Sequence, residues 1–195
     1  GGKMGAAEVT GLQAEGISVF IKHMAMNDND TNRDGNITWF SEQSAREIYL
    51  KDYEICDHEI FLADDETESG EFVKGEGALG IMSSLNRDGI SMFHQGLYKN
   101  ILRGEWGFQG MVLTDWYGSY GYQLTMDSVL NGNDMMLGGS NNGKIWNMTL
   151  EAVSEDPVIQ AGLREAYHRK LYVGVNSVQL NGMTKDTNAT GSLVW

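Results

Sequence analysis

Four short apolar runs, separated by stretches with helical spacing, constrain the fold of this 195-residue chain more than any other feature. Short apolar runs between turn residues are typical of strands that are buried on both faces. Strands of this kind that alternate with helices form a parallel sheet with helices on its faces. The sequence therefore predicts an α/β fold. The predicted strands are 18–23, 78–83, 111–114 and 134–137.

The stretches between these strands carry apolar residues at helical spacing. Ser41 is expected to cap a helix that continues to about Phe61, because serine is a favoured N-cap residue. Pro157 is expected to interrupt the last helix, since proline lacks the backbone donor that a helix interior needs. The predicted helices are 6–15, 41–61, 92–103, 122–130 and 149–174.

Composition excludes several classes of function. The formal net charge of −13 argues against nucleic acid and anionic membranes as partners, and it is compatible with a neutral substrate. The single cysteine, Cys56, excludes an internal disulfide and any cysteine-based metal cluster. No apolar run reaches the roughly 18 residues that a membrane-spanning helix needs.

One carboxylate, Asp115, ends the third predicted strand. Parallel α/β enzymes place their chemistry at the carboxyl ends of such strands. The alternative is that Asp115 caps the next helix, a position that aspartate favours. Trp116 offers an apolar face to a sugar ring. Lys22 and His23 end the first predicted strand, so they reach the same edge, where both can donate hydrogen bonds to hydroxyl groups.

The segment 107–116, Gly-Phe-Gln-Gly-Met-Val-Leu-Thr-Asp-Trp, resembles the nucleophile segment of the glycoside hydrolase family 3 β-glucosidases. Four further segments resemble family segments in the family's order. They are Lys22-His23, 81–86, 101–106 and 131–136.

The resemblance implies a retaining exo-β-glycosidase that forms a covalent glycosyl–enzyme intermediate on Asp115. It implies a small carbohydrate substrate, no cofactor and no metal. It further implies that four residues hold the terminal sugar and that Met82 lines the site. The four are Lys22, His23, Arg33 and Trp116.

The chain departs from the family pattern in two informative ways. Family members often carry a tyrosine that orients the nucleophile, where this chain has Leu85. Lys22-His23 is not followed by the longer motif of relatives that cleave amino sugars of cell walls, which favours the glucosidase-like branch. In similar enzymes the acid/base residue comes from a domain after the barrel. Glu76 and Asp88 are weak alternatives for that role within this chain.

The resemblance implies a TIM-type (β/α)8 barrel, and four strands account for only part of one. Residues 1–181 are therefore expected to form about the last four to five βα units of a partial barrel, followed by a polar tail, 182–195. Another chain or domain would complete the barrel. Asp134 is expected to cap or brace the barrel floor. The alternative fold is a small, doubly wound sheet that is complete in itself.

Two other functions stay open from the sequence. The first is a truncated sugar-binding remnant that has weak turnover or none. The second is a calcium-binding structural domain, because Asp30, Asn32, Asp34 and Gly35 follow the opening of a calcium loop. In that loop, Ser41 takes the twelfth position, where an acidic ligand is required.

Overall fold

The computed structural model describes residues 1–32, 37–64, 69–84, 87–88, 95–116, 125–137 and 150–177. Both helices and strands occur along this length. The strands are β1 (Phe20–Met24), β2 (Ile37–Thr38), β3 (Glu59–Asp64), β4 (Ser69–Lys74), β5 (Gly80–Ser83), β6 (Arg87–Asp88) and β7 (Met111–Leu113). The α-helices are α1 (Gly2–Ala14), α2 (Glu42–Ser44), α3 (Lys51–His58), α4 (Thr125–Leu130), α5 (Leu150–Glu155) and α6 (Pro157–Val175), and π-helices cover Ala45–Tyr49 and Gly96–Glu105.

A parallel sheet in the order β1–β5–β7 organises the molecule. A parallel bridge between Leu113 and Met135 extends it by one further position. Because the three strands run in the same direction, their carboxyl ends lie at the same edge of the sheet. The strands also follow one another across the sheet in chain order. The predicted α/β fold with a parallel sheet is confirmed. The first three predicted strands lie within a few residues of β1, β5 and β7, whereas 134–137 contributes only the bridge at Met135.

The hydrophobic core lies on one face of this sheet. Ile81 and Val112 point into it and are fully buried against the π-helix Gly96–Glu105. On the other face, Met82 and Leu113 are only half-buried, and Met135 is 42% exposed. The described residues therefore cover one face of the sheet much better than the other. The core residues are Met24, Ala25, Met26, Ala45, Leu50, Ile81, Leu97, Tyr98, Leu102, Phe108 and Val112.

The prediction of one helix from Ser41 to Phe61 is only half right. The Ser41 hydroxyl accepts a hydrogen bond from the Ser44 amide at 3.1 Å, as expected of an N-cap. The helical stretch, however, ends at His58, and β3 pairs with β4 in an antiparallel hairpin. Phe61 and Phe72 are cross-strand partners with ring centres 5.1 Å apart. The helical spacing of residues 59–61 is local and carries no information about β4. Pairing with β4, which comes later in the chain, makes these residues a strand.

The carboxyl-terminal helices follow the prediction. Pro157 is the first residue of α6, and the Asp156 side chain caps that helix by accepting from the Val158 amide at 2.8 Å. The break between α5 and α6 therefore falls at the proline. Among the described residues, no helix combines the length and apolar character needed to cross a membrane. The expected tail, 182–195, lies outside the described residues.

Candidate active site

Asp115 lies at the carboxyl edge of the sheet, just beyond β7. Its amide donates to the carbonyl of Ser83 on β5 at 3.2 Å. The amide of the preceding residue, Thr114, donates to the carbonyl of Met135 at 2.9 Å. Hydrogen bonds to both neighbouring strand positions therefore fix the backbone that carries Asp115. Its side chain is 16% exposed, which leaves it open to a ligand from solvent.

Both oxygens of the Asp115 carboxylate have a polar neighbour. Oδ1 accepts from the Trp116 backbone N–H at 2.6 Å. The His23 Nε2 lies 3.2 Å from Oδ2, and the His23 side chain is 23% exposed. Because each carboxylate oxygen offers about two acceptor positions, one contact on each leaves a lone pair on both. The structure thus brings together two of the residues that the sequence singles out.

A bulge in β1 explains how His23 comes to point toward Asp115. The β1 register pairs Ile21 with Ile81 and then Met24 with Ser83, so β1 spends one more residue than β5 over this interval. A bulge re-aims the side chains of the strand that contains it. Alternation along the strand alone does not predict this orientation. The Lys22–His23 and Met24–Ala25 peptide bonds are both cis.

Two tyrosines that sequence reasoning missed hold the end of β1. The Tyr53 hydroxyl, from α3, donates to the His23 carbonyl at 2.6 Å. The fully buried Tyr98 hydroxyl donates to the Met24 carbonyl at 2.5 Å. These pairs are distant in sequence, and no local pattern marks either tyrosine as a partner of β1.

Lys22 is exposed and lines a groove together with His23, Tyr53 and Asp52. This groove lies between β1, α3 and the start of α1. Asp115 is not among the residues that line it. Lys22 and His23 therefore share a groove, whereas only His23 has an observed contact with Asp115.

The remaining predicted site residues differ in how they are placed. Trp116 follows Asp115 directly and is 51% exposed, so its ring is accessible to a ligand. Met82 is half-buried on β5 and is in register with Leu113, the last residue of β7. Side chains in register on neighbouring strands share a face, so Met82 and Leu113 lie on the same face of the sheet. Asp115 follows two residues later, and its amide continues the hydrogen bonding to β5. Arg33 lies outside the described residues.

The alternative acid/base candidates fare differently. Glu76 precedes β5 and accepts a hydrogen bond from the Tyr172 hydroxyl at 2.7 Å. Because β5 and β7 are parallel, Glu76 lies toward the amino edge, opposite Asp115. Asp88 lies in β6, beyond the carboxyl end of β5, where its backbone pairs with Thr38. Glu76 is therefore wrongly placed to share a reaction with Asp115.

No group of three or more His, Cys, Asp or Glu side chains within the described ranges is placed to bind a metal ion. The calcium-loop pattern falls partly outside these ranges, since Asp34 and Gly35 are not described. Asp30 and Asn32, at the start of the pattern, are exposed.

Asp134 makes the contacts of a residue that braces the fold. Its side chain is fully buried and accepts from Arg103 at 2.6 Å, Arg169 at 3.0 Å and the Val112 amide at 2.8 Å. Arg103 also donates to the carbonyl of Gly110 at 3.0 Å. Burial raises the pKa of Asp134 and lowers the pKa of Arg103 to about 10, while the opposite charge of each partner limits the change.

The chain was compared with protein-family models, with curated proteins and with solved structures. No protein-family model matches the chain. The chain is 36% identical over 137 residues to β-glucosidase A of Butyrivibrio fibrisolvens, an alignment that covers 70% of this chain and 14% of that enzyme. The chain therefore spans only a small part of the length of this relative.

Solved structures agree with this match. β-Glucosidase 3B from Thermotoga neapolitana, solved in complex with glucose, is 28% identical, with a TM-score of 0.72 over 93% of this chain and 24% of that enzyme. The family 3 β-glucosidase from Bifidobacterium adolescentis shares the fold at 23% identity, with a TM-score of 0.65 over 94% of this chain and 24% of that enzyme. The sequence match, the ordered motifs and the shared fold agree, and the chain corresponds to a β-glucosidase-like segment of glycoside hydrolase family 3.

Proposed function

We propose that Asp115 is the nucleophile of a retaining β-glucosidase-like site, and that this chain supplies part of the pocket for the terminal sugar. The contact of His23 with Asp115 at the carboxyl edge of the sheet carries this proposal. It is the edge at which parallel α/β enzymes bind and transform their substrates. The Asp115 side chain is held in place there and is still accessible.

In the proposed reaction, an oxygen of Asp115 attacks the anomeric carbon of a terminal β-linked sugar. A carbon–oxygen bond forms to Asp115 while the leaving oxygen departs with the electrons of the glycosidic bond. A second carboxyl group, about 5–5.5 Å away, protonates the leaving oxygen and later activates water. By analogy with the resembling enzymes, we place that acid/base residue on a further domain of the complete enzyme.

We further propose that residues 1–181 form an arc of a (β/α)8 barrel and that 182–195 are a polar tail. Two observations support the arc. The described strands β1, β5 and β7 neighbour one another in chain order, whereas a doubly wound sheet reverses its order at a switch point. The half-exposed face with Met82 and Leu113 also matches a barrel interior that another chain or domain completes.

Within this arc, the sugar is expected to lie between Trp116 and the end of β1. The exposed ring of Trp116 provides an apolar platform, and Met82 lies on the face of the sheet that Leu113 shares. Lys22, His23 and Arg33 donate to sugar hydroxyls in this proposal. The glucose complex of the Thermotoga enzyme supports a small neutral sugar as the ligand.

The direct test is intact-mass spectrometry after incubation with a 2-deoxy-2-fluoroglucoside that carries a strongly activated leaving group. Such a leaving group departs without a proton, so an acid/base residue on another domain is not needed for the first step. The expected result is a mass gain of one fluorosugar that peptide digestion locates on Asp115. An excess of glucose should slow this gain by competing for the same pocket.

An Asp127→Asn variant is the matched control, because Asp127 is an exposed carboxylate on α4. It should form the adduct at the rate of the unchanged protein. If a folded sample binds glucose but never forms an adduct, the chain is a sugar-binding remnant without turnover. An adduct located on another carboxylate would refute the assignment of Asp115.

A further inference from the structure

We propose that His23 is a positioning residue for Asp115: its Nε2–H donates to Oδ2 and holds the carboxylate ready for attack. The inference rests on the proposed function of Asp115 and gives His23 a role beyond contact with the sugar. The 3.2 Å separation between Nε2 and Oδ2 is within hydrogen-bonding range for a histidine and an ionised carboxylate.

The two contacts of Asp115 come from different parts of the fold. The Trp116 N–H belongs to the same chain segment, so it follows Asp115 if that segment moves. His23 belongs to β1, which is separated from β7 by β5. His23 therefore ties the carboxylate to a separate strand and restricts its rotation. A local backbone contact alone does not provide this restriction.

The strand between β1 and β7, β5, has small residues where the His23 side chain extends toward Asp115. β5 ends in Ser83 and is followed by Ser84, and both residues are fully buried. The Ser83 carbonyl accepts from the Asp115 amide, and the Ser84 amide donates to the Met24 carbonyl. Two small side chains at this level leave room for the longer His23 side chain to approach β7.

The backbone of His23 is itself held firmly. Its carbonyl accepts from Tyr53 on α3, and the next carbonyl, of Met24, accepts from Tyr98 on the π-helix Gly96–Glu105. Two helices thus fix the end of β1. A side chain on such a fixed backbone can orient a reacting group, and a displacement of about 1 Å can reduce a rate on the order of 10²-fold.

Two substitutions separate positioning from sugar contact. His23→Gln keeps an amide N–H close to the place of Nε2, whereas His23→Leu keeps bulk without a donor. We expect His23→Leu to lower the rate of adduct formation at saturating fluoroglucoside on the order of 10²-fold. His23→Gln should recover at least about tenfold of that loss, because a positioning role needs the donor more than the ring. A histidine that contacts only the sugar should instead change the half-saturating concentration.

A second measurement reads the pair without any turnover. The chain has four histidines, so their ring nitrogens can be labelled with ¹⁵N, and the His23 signals can be assigned through His23→Gln. Asp115→Asn should shift the His23 Nε2 signal and leave those of His58 and His168 unchanged. Asp115→Asn has this effect because it removes the negative charge of the carboxylate that accepts from His23.

The outcomes separate the two proposals. If the unchanged chain forms no adduct, the proposed function fails, whatever the histidine signals show. If the adduct forms but His23→Leu reacts at the unchanged saturated rate, the positioning role is refuted and the nucleophile assignment stands. A His23 signal that does not respond to Asp115→Asn refutes the contact itself. A slowed His23→Leu, a partly restored His23→Gln and a responsive signal together support the inference.

Discussion

Asp115 and Asp134 lie on neighbouring strand positions of one sheet, but their carboxylates are held in different ways. Asp134 lies toward the amino end, is fully buried, and accepts from two arginines and a backbone amide. Asp115 lies at the carboxyl end, is 16% exposed, and has one backbone donor and one histidine beside it. The first is enclosed on every side, and the second keeps lone pairs that a substrate can reach.

This difference distinguishes a structural carboxylate from one that is available for chemistry. A buried carboxylate between guanidinium groups is costly to disturb, because its removal leaves buried positive charge without a partner. A partly exposed carboxylate beside a histidine costs much less to rearrange when a ligand arrives. The two sites should therefore respond in opposite ways to the same conservative substitution.

Asp115→Asn should have the largest effect on chemistry. Asparagine keeps the shape and can still accept the Trp116 N–H, but it is a poor nucleophile. We expect the rate of adduct formation to fall on the order of 10⁴-fold or more, as is typical of the loss of an essential catalytic group. The free energy of unfolding should change by less than about 1 kcal/mol. Time-resolved intact-mass spectrometry and thermal unfolding measure the two quantities, and adduct formation at the unchanged rate would contradict the comparison.

Asp134→Asn should have the largest effect on stability. The substitution leaves Arg103 and Arg169 without a buried counter-charge, so we expect the free energy of unfolding to fall by about 3–5 kcal/mol. Urea unfolding monitored by tryptophan fluorescence measures this loss. The exposed Asp127→Asn control should change stability by less than about 0.5 kcal/mol. If Asp134→Asn unfolds at the urea concentration of the control, Asp134 does not brace the fold.

The sequence predicts the parallel sheet well because short apolar runs and helix signals are local. The break at Pro157 and the cap at Ser41 are local signals too, and both are confirmed. The β3–β4 hairpin was not predicted, since the pairing of Phe61 with Phe72 depends on two strands meeting in space.

The candidate site was predictable only in part for the same reason. Placing Lys22, His23 and Asp115 at one edge needs only the rule that parallel strands end together. The contact between His23 and Asp115 depends on a bulge in β1, and the support of β1 depends on Tyr53 and Tyr98 from helices elsewhere in the chain. A one-residue shift in register leaves no trace in the spacing of apolar residues.

A third carboxyl group, that of Asp57, extends the comparison of buried and exposed carboxyl groups, because it should make the free energy of unfolding depend on pH. Its side chain is 9% exposed, and Oδ2 lies 3.4 Å from the His58 Nε2. Burial is the main cause that raises the pKa of Asp57 to about 6, and the positive charge of His58 opposes it. Burial favours the protonated form of both carboxyl groups, but Asp57 lacks the two arginine hydrogen bonds of Asp134, and the charges of His58 and Arg103 oppose the effect of burial only in part.

The sign of the pH effect follows from this. The folded state binds the Asp57 proton more tightly than the unfolded state, so its contribution to stability is complete below the ordinary pKa near 3.8. That contribution is lost as the pH rises through about 6. We expect the unchanged protein to lose on the order of 2–3 kcal/mol relative to Asp57→Asn between pH 4 and pH 7. Urea unfolding of both proteins at several pH values measures this difference, and parallel profiles would refute it.

The smallest effects are expected for substitutions of the two tyrosines that hold β1, Tyr53 and Tyr98. Tyr98→Phe removes a buried donor, so we expect a loss of about 0.5–1.5 kcal/mol in the free energy of unfolding. The Met24 carbonyl keeps the Ser84 amide as a donor, at 3.0 Å, so the rate of adduct formation should hardly change. Tyr53→Phe frees the carbonyl of His23 itself, in a less buried place. It should cost less stability and slow adduct formation severalfold.

Thermal unfolding and the saturated rate of adduct formation, measured for both tyrosine variants, decide between two views of the end of β1. If β1 only needs to be folded, the two variants should slow the reaction in proportion to the stability each loses. If the position of His23 matters in its own right, Tyr53→Phe should slow the reaction more than Tyr98→Phe while costing less stability. This crossed pattern would show that the position of β1 acts on Asp115 beyond its effect on stability, whereas for the enclosed carboxylate of Asp134 stability alone should change.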